Sequence, residues 1–317
     1  MQKKRLPNMK PKLLVVGSSN TDMVIKAAHL PGPGETIIGN SFFMNPGGKG
    51  ANQAVAAARL GGNVTFICKT GNDIFGRQSI ELFEEEGINT SHLLSDPKNP
   101  SGVALITVDE NAENCIVVAS GANATLSPAD LQKLKHVIEE SRIVLMQLEI
   151  PLETVEFVAK TAAAHGVRVL LNPAPACNLS DDLLKCISII TPNKTEAEML
   201  TGVKVKNITS AREAAQIISD RGVDTVIITL GANGALILHE GEFTHVPAVP
   251  VKAIDTTAAG DVFNGALAVS LAESDDIIAA TTLACKAAAI SVTRMGAQSS
   301  VPFKKEVDAF VADKLTR

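Results

Sequence analysis

Residues 143–171 read IVLMQLEIPLETVEFVAKTAAAHGVRVLL, and this stretch decides the fold class. The run 143–148, apolar except for Gln147, suits a strand covered on both faces. A helical segment started by a proline follows over 152–165, and a second apolar run, 167–171, closes the stretch. Buried strand, helix and buried strand in succession are the unit of an α/β fold.

The same rhythm extends outward in both directions. Runs 12–17, 64–69, 187–191 and 225–230 read as further buried strands. Helical segments lie at 50–60, 74–86, 129–140, 194–201 and 211–221, and Ser127-Pro128 is an N-cap followed by proline at the first helical position. A hairpin follows at 235–239 and 243–247, around Glu240-Gly241, and then two Ala-rich helices, 259–273 and 276–294. The expected fold is a doubly wound, mainly parallel sheet flanked by helices, spanning 12–317 after a disordered lead-in, 1–11. Two stretches break the pattern. Segment 22–44 has short β-like pieces around Leu30-Pro31-Gly32-Pro33-Gly34, and 101–121 reads as strands 103–108 and 115–119. Placed together they form a small β-sheet lid over the C-terminal edge of the parallel strands, where ligands bind.

Composition narrows the function. The chain has 317 residues, is 45% apolar and 20% charged, and carries a formal net charge of −5, so it is globular and lacks a basic footprint for nucleic acid or an anionic membrane. No apolar run reaches membrane-spanning length, and the basic start MQKKRLPNMKPK has no apolar segment behind it to make a secretory signal. Cys68, Cys115, Cys177, Cys186 and Cys285 are odd in number and widely spaced, as in the cytoplasm. The absence of Trp and Tyr removes the usual aromatic platform for stacking a sugar or a base.

The strongest chemical signal is Asp255-Thr256-Thr257-Ala258-Ala259-Gly260-Asp261 before an apolar helix. Small residues let the backbone approach a ligand, and the helix start behind them offers unpaired N–H groups and the positive end of the dipole. Asp261 in the first turn can accept a proton from an attacking hydroxyl, or can simply complement the dipole.

Asn45-Pro46-Gly47-Gly48-Lys49-Gly50-Ala51-Asn52-Gln53 is not a Walker loop, because Phe43 and Gly50 stand where glycine and a hydroxyl residue are needed. It is a Gly-rich turn at a helix start, from which Lys49 and Asn52 can bind a polyol, or a plain tight connection. Asn20 and Asp22, in Gly17-Ser18-Ser19-Asn20-Thr21-Asp22, are sugar ligands or turn formers, and no G-x-G-x-x-G is present. Glu149 can take a sugar hydroxyl or favour a helix N-terminus. Asn193 and Glu196 have capping-box spacing and can equally sit near a triphosphate and its Mg²⁺. Thr229, Gly231 and Gly234 form a strand-end turn that suits a nucleotide or only a reversal of the chain. None of the six His residues makes an HxxxH or HExxH pair.

NPGGKGANQA at 45–54 and DTTAAGD at 255–261 resemble the two signature segments of the PfkB-type (ribokinase) carbohydrate kinase family. The likeness runs in order through Asn20/Asp22, Gly47–Asn52, Gln147-Leu148-Glu149 and Thr293-Arg294-Met295-Gly296-Ala297-Gln298. It implies ATP-dependent phosphorylation of the O5 hydroxyl of ribose, with Mg²⁺ and a K⁺ activator, and a homodimer clasped through the lid. By this resemblance Asn20, Asp22, Gly48, Lys49, Asn52 and Glu149 hold the sugar, Asp261 is the base, and the amides of Ala258, Ala259, Gly260 and Asp261 form the anion hole. Asn193, Glu196, Thr229, Gly231, Gly234 and Gly260 would line the nucleotide. Cys285 falls beside adenine, in place of a larger polar residue. Asp255, Thr257, Ser291, Arg294, Gly296 and Ser300 would surround the cation. Many relatives have Gly-Ala-Gly-Asp where this chain has Ala258-Ala259-Gly260-Asp261, a change that keeps every backbone N–H. Deoxyribose, fructose or a nucleoside is an alternative substrate within the family. A silent sugar-binding regulator and a dinucleotide-dependent oxidoreductase are readings from other classes.

Overall fold

The computed structural model describes residues 12–111 and 113–310, and the expected lead-in 1–11 lies outside them. In chain order the strands are β1 Lys12–Val16, β2 Asn20–Lys26, β3 Ser41–Gly47, β4 Asn63–Ile67, β5 Lys69–Gly71, β6 Leu94–Asp96 and β7 Gly102–Val108. They continue as β8 Asn114–Ala119, β9 Ile143–Met146, β10 Arg168–Leu171, β11 Ile189–Ile190, β12 Thr225–Thr229, β13 Ala235–His239 and β14 Glu242–Val246. The large sheet has the order β14-β13-β12-β11-β10-β9-β1-β4, parallel except for the β12-β13-β14 edge.

Side chains of β1 point alternately to two cores. Leu13 and Val15 pack with the helices Lys49–Arg59, Ala259–Glu273 and Ile277–Ser291, whereas Leu14 and Val16 pack with Leu152–Ala164 and Ile208–Asp220. Burial on both faces is why the parallel strands read as continuous apolar runs. The chain crosses from β1 to β4 on one side and returns to β9 on the other, which makes the C-terminal end of β1 a topological switch point.

Two helices meet closely beside that point. A Cβ added at Gly265 would lie 2.6 Å from Ala56 Cβ and 2.9 Å from Gln53 O, so only glycine allows Ala259–Glu273 to seat against Lys49–Arg59. That seating brings the starts of the two helices together, and both starts are signature segments rich in small residues.

The two segments that broke the α/β rhythm meet in one four-stranded sheet, β3-β2-β7-β8. Here the details differ from the sequence reading. Residues 27–40 contain no strand, since Pro31 and Pro33 have no N–H to give a ladder. The expected helix 129–140 divides into Pro128–Gln132 and Lys135–Glu139, because Leu134 leaves helical geometry at φ −107°, ψ 14°. Among the described residues, no helix is long and apolar enough to cross a membrane.

Candidate active site

Ala258 is the N-cap of Ala259–Glu273, at φ 58° in the left-handed region that an L-residue occupies at a cost, and no side chain caps this helix start. The first amides of the helix have no intrahelical partner, and of these the Ala259 amide donates to Thr256 O at 3.2 Å. A Cβ built on Gly260 would meet nothing within 4 Å, so the backbone is open to close approach. Such a helix start is suited to an anion.

Asp261 sits in that first turn, 5% exposed. Asn52 Nδ2 donates to its Oδ2 at 3.0 Å and Gln53 Nε2 to its Oδ1 at 2.9 Å. Burial lifts the Asp261 pKa above the ordinary carboxylate range, while Lys49 and the two amide donors oppose the rise. For Lys49, burial disfavours the ammonium, yet Asp261, Glu149 and Glu196 together hold its pKa above the usual lysine value. A buried carboxylate with raised proton affinity, held in plane by two donors, is equipped to take a proton.

Around Asn20 and Asp22 the strand register does the positioning. Asn20 pairs with Gly47 and Asp22 with Asn45 across β2 and β3. Gly48, at φ 89°, lies so close to β2 that a Cβ there would be 2.8 Å from the Asn20 amide. Glu149 Oε2 accepts from Ser18 Oγ at 2.5 Å and from the Lys49 amide at 2.9 Å. Burial first, then the facing carboxylates of Glu149 and Asp261, lifts Asp22 to about 6. Asn20 and Glu149 line a cavity of about 380 Å³ together with Asn123, Ser120 and Val118.

Asn193 and Glu196 form a complete capping box at the helix Lys194–Thr201, so the capping reading holds for both. Burial raises the Glu196 pKa, partly offset by the Asn193 amide and Lys49. Asn193 bridges to Thr229 at the end of β12, and the turn beyond has Gly231 at φ 63° and Gly234 at φ 84°. Cys285 stands apart from the polar network. It belongs to the apolar core of helix Ile277–Ser291, where burial pushes its thiol up to about 11.

Asp255 ties two loops together: it accepts from the Thr257 amide at 2.9 Å and the Gly296 amide at 2.8 Å. Burial works against its ionisation, but the Thr257 and Gly296 hydrogen bonds outweigh it and hold the pKa below the ordinary value. Ser291 and Ser300 donate to Ala288 O and Ala297 O, and Arg294 pairs with Glu306 at 2.6 Å. A guanidinium has no acceptor for a cation, so Arg294 can offer one only its carbonyl. Among the described residues, no three His, Cys, Asp or Glu side chains converge as a metal site.

Three residues of this network have no role assigned in the sequence reading. Asn123 donates to Asn20 Oδ1 at 2.8 Å and clamps both the Ser19 N–H and C=O. Gln298 holds Asn52 Oδ1 at 3.2 Å, and Gln53 holds Asp261. Gln53 lies inside the signature segment, so its helical position one step beyond Asn52 was the available clue.

Comparisons with known proteins identify the family. Residues 10–304 match the pfkB family of carbohydrate kinases. The chain is 48% identical over 303 residues to a ribokinase of Haemophilus influenzae, covering 96% of this chain and 99% of that one. It is 40% identical over 301 residues to a deoxyribokinase of Salmonella typhi, covering 95% and 98%. The structure of an Arabidopsis thaliana ribokinase complexed with ribose and ATP superposes with a TM-score of 0.91 at 31% identity, covering 96% of this chain and all of that one. With likeness sustained over nearly its whole length, the chain belongs to the pfkB family of carbohydrate kinases and is a sugar kinase.

Proposed function

We propose that the protein transfers the γ-phosphoryl group of MgATP to the O5 hydroxyl of D-ribose, giving ribose 5-phosphate and ADP. The observation that carries this is the Asp261 carboxylate, held by Asn52 and Gln53 at the start of a helix that no side chain caps. Asp261 takes the O5 proton as that oxygen attacks phosphorus in line and the bond to the ADP oxygen breaks. The amides of Ala258, Ala259, Gly260 and Asp261 meet the negative charge on the transferred group. Asn20, Asp22, Gly48, Lys49, Asn52 and Glu149 bind the sugar hydroxyls. The ribokinase names of close relatives and the Arabidopsis complex with ribose and ATP support the choice of substrates.

Asn193, Glu196, Thr229, Gly231 and Gly234 would line the nucleotide, with Cys285 on the adenine side. Both Glu196 oxygens are engaged in its cap, which suits contact with Mg²⁺ through water. The oxygens around Asp255, Thr257, Ser291, Arg294, Gly296 and Ser300 are carboxylate, hydroxyl and carbonyl groups, a hard donor set that fits K⁺. Bound there, K⁺ would stiffen the loop that precedes the anion cradle. The β3-β2-β7-β8 sheet would act as lid and dimer clasp, since Phe42, Met44, Leu105, Ile116 and Val117 are exposed on it. Unpaired thiols at all five cysteines suit a cytoplasmic setting.

The Salmonella relative favours a second reading, in which deoxyribose is the preferred sugar. A coupled ATP-consumption assay over ribose, 2-deoxyribose, fructose and adenosine decides between them. Ribose is expected to give the highest kcat/KM, and faster turnover of any other acceptor overturns the assignment.

A further inference from the structure

We propose that Gln53 is the positioning residue of the reaction: it fixes the plane of the Asp261 carboxylate, and an amide chain anchored on the sheet leaves it a single orientation. This rests on the reading of Asp261 as the base. The chain starts from a group whose role is unambiguous. The Thr191 carbonyl can only accept, so Asn172 turns Nδ2 toward it at 3.4 Å and presents Oδ1 to Gln53. Gln53 therefore faces two acceptors, Asn172 Oδ1 at 3.0 Å and Asp261 Oδ1 at 2.9 Å, and spends both Nε2 hydrogens on them. Its Oε1 takes the Gln147 Nε2 hydrogen at 2.5 Å.

Gln147, Asn172 and Thr191 lie just beyond β9, β10 and β11, three neighbouring strands of the parallel sheet. The backbone of the sheet thus sets the amide register, and the amide register sets the carboxylate. Gln53 and Gln147 are fully buried and Asn172 is 6% exposed, so no solvent competes for these bonds. Asn52, the other donor to Asp261, has been assigned to the sugar and must share its amide when the sugar binds. Gln53 is free of that conflict and holds the base before, during and after the reaction.

Loss of one donor does two things to a carboxylate. It frees rotation, which spoils alignment with the attacking hydroxyl, and it removes stabilisation of the ionised form. The charged groups acting on Asp261 are Lys49 on the same helix as Gln53, Asp22 on β2, Glu149 after β9 and Glu196 on Lys194–Thr201. None of them hydrogen-bonds to Gln53, so they stay constant when Gln53 is changed.

The test uses the full chain with its fastest sugar, comparing Gln53→Met and Gln147→Leu with the unaltered protein. Gln147→Leu touches Gln53 but not Asp261, and it decides the matter if Gln53→Met does not fold. Gln53→Met is expected to lower kcat roughly 10- to 100-fold with the sugar KM within about threefold, and to move the acid limb of kcat up by about half to one pH unit. Gln147→Leu should shift both in the same direction by less. A purely structural role would lower the melting temperature and leave the acid limb in place. Folded variants with an unmoved acid limb, beside an inactive Asp261→Asn, overturn the role of Gln53 alone. Near-normal turnover of Asp261→Asn overturns the base and this proposal together.

Discussion

The Glu149 carboxylate accepts the Lys49 amide at 2.9 Å, although the two residues are one hundred positions apart. Gly48, the N-cap of the helix Lys49–Arg59, has no side chain with which to cap it. Glu149, from the end of the β9 region, supplies the missing acceptor and a negative charge at the positive end of the helix. The sequence offered two roles for this residue, sugar ligand or helix-terminus partner. In the structure it partners a helix terminus, on a helix other than the one that follows it in sequence, and both bonds fall on Oε2. Glu149→Ala should cost about 1–2 kcal/mol of stability, and Glu149→Gln less than half of that, because Gln keeps an acceptor. Thermal melts of the two variants check the order, and equal loss in both would mean that charge alone matters.

If Asp261 is the base, Asp261→Asn should lower kcat by roughly 10²- to 10⁴-fold. Sugar affinity, read by calorimetry, should change little, because Asn keeps the shape of the side chain and contacts to the other ligands remain. Turnover close to normal would remove Asp261 from the proton step.

Asp22 gives the protein a pH signature. Its carboxyl, raised to about 6, binds a proton more tightly folded than unfolded, where the value is about 4. Its contribution to stability is therefore complete below about pH 4 and is lost as pH rises through about 6. The amount is on the order of 3 kcal/mol at most. Asp22→Asn should flatten the fall in melting temperature between these two pH values, and an unchanged pH slope would contradict the burial argument.

Two backbone positions should respond in opposite directions. Ala258 occupies a left-handed conformation at φ 58°, so Ala258→Gly relieves strain and should stabilise by up to about 1 kcal/mol with kcat nearly unchanged. Gly48 combines φ 89° with a Cβ position 2.8 Å from the Asn20 amide, so Gly48→Ala should destabilise by several kcal/mol or weaken sugar binding through a displaced β2. Melting temperatures together with the sugar KM test both.

The oxygen-lined loop pair around Asp255 predicts dependence on a monovalent cation. Activity in buffer holding only Na⁺ should fall well below that in K⁺, and Asp255→Asn should narrow the difference. Equal rates in the two salts would argue that no such cation takes part.

Much of the architecture is legible because it is local. The strands 12–17, 143–148 and 225–230 announce themselves as apolar runs, and β1, β9 and β12 form there within a residue or two at each end. The capping box of Asn193 and Glu196 was visible for the same reason, since both residues lie in one helical turn. The break at Leu134 was not visible, because a short helix is divided by what its two ends must pack against. Asn123 was missed as well. It follows β8 in a short turn, and nothing near it in sequence hints that it reaches Ser19 and Asn20.

The sequence by itself determined the alternation of elements, the two helix starts rich in small residues and the presence of one acid, Asp261, in the second of them. The tertiary structure alone decided what that acid touches. Seating Gly265 on Ala56 and Ala57 sets the two helix starts side by side, and only then do Asn52 and Gln53 reach Asp261 across more than two hundred residues. Periodicity and composition record a preference for burial or for a turn, which each segment carries within itself. A hydrogen bond between distant segments depends on how the sheet orders its strands, and that order is settled by packing of the whole chain.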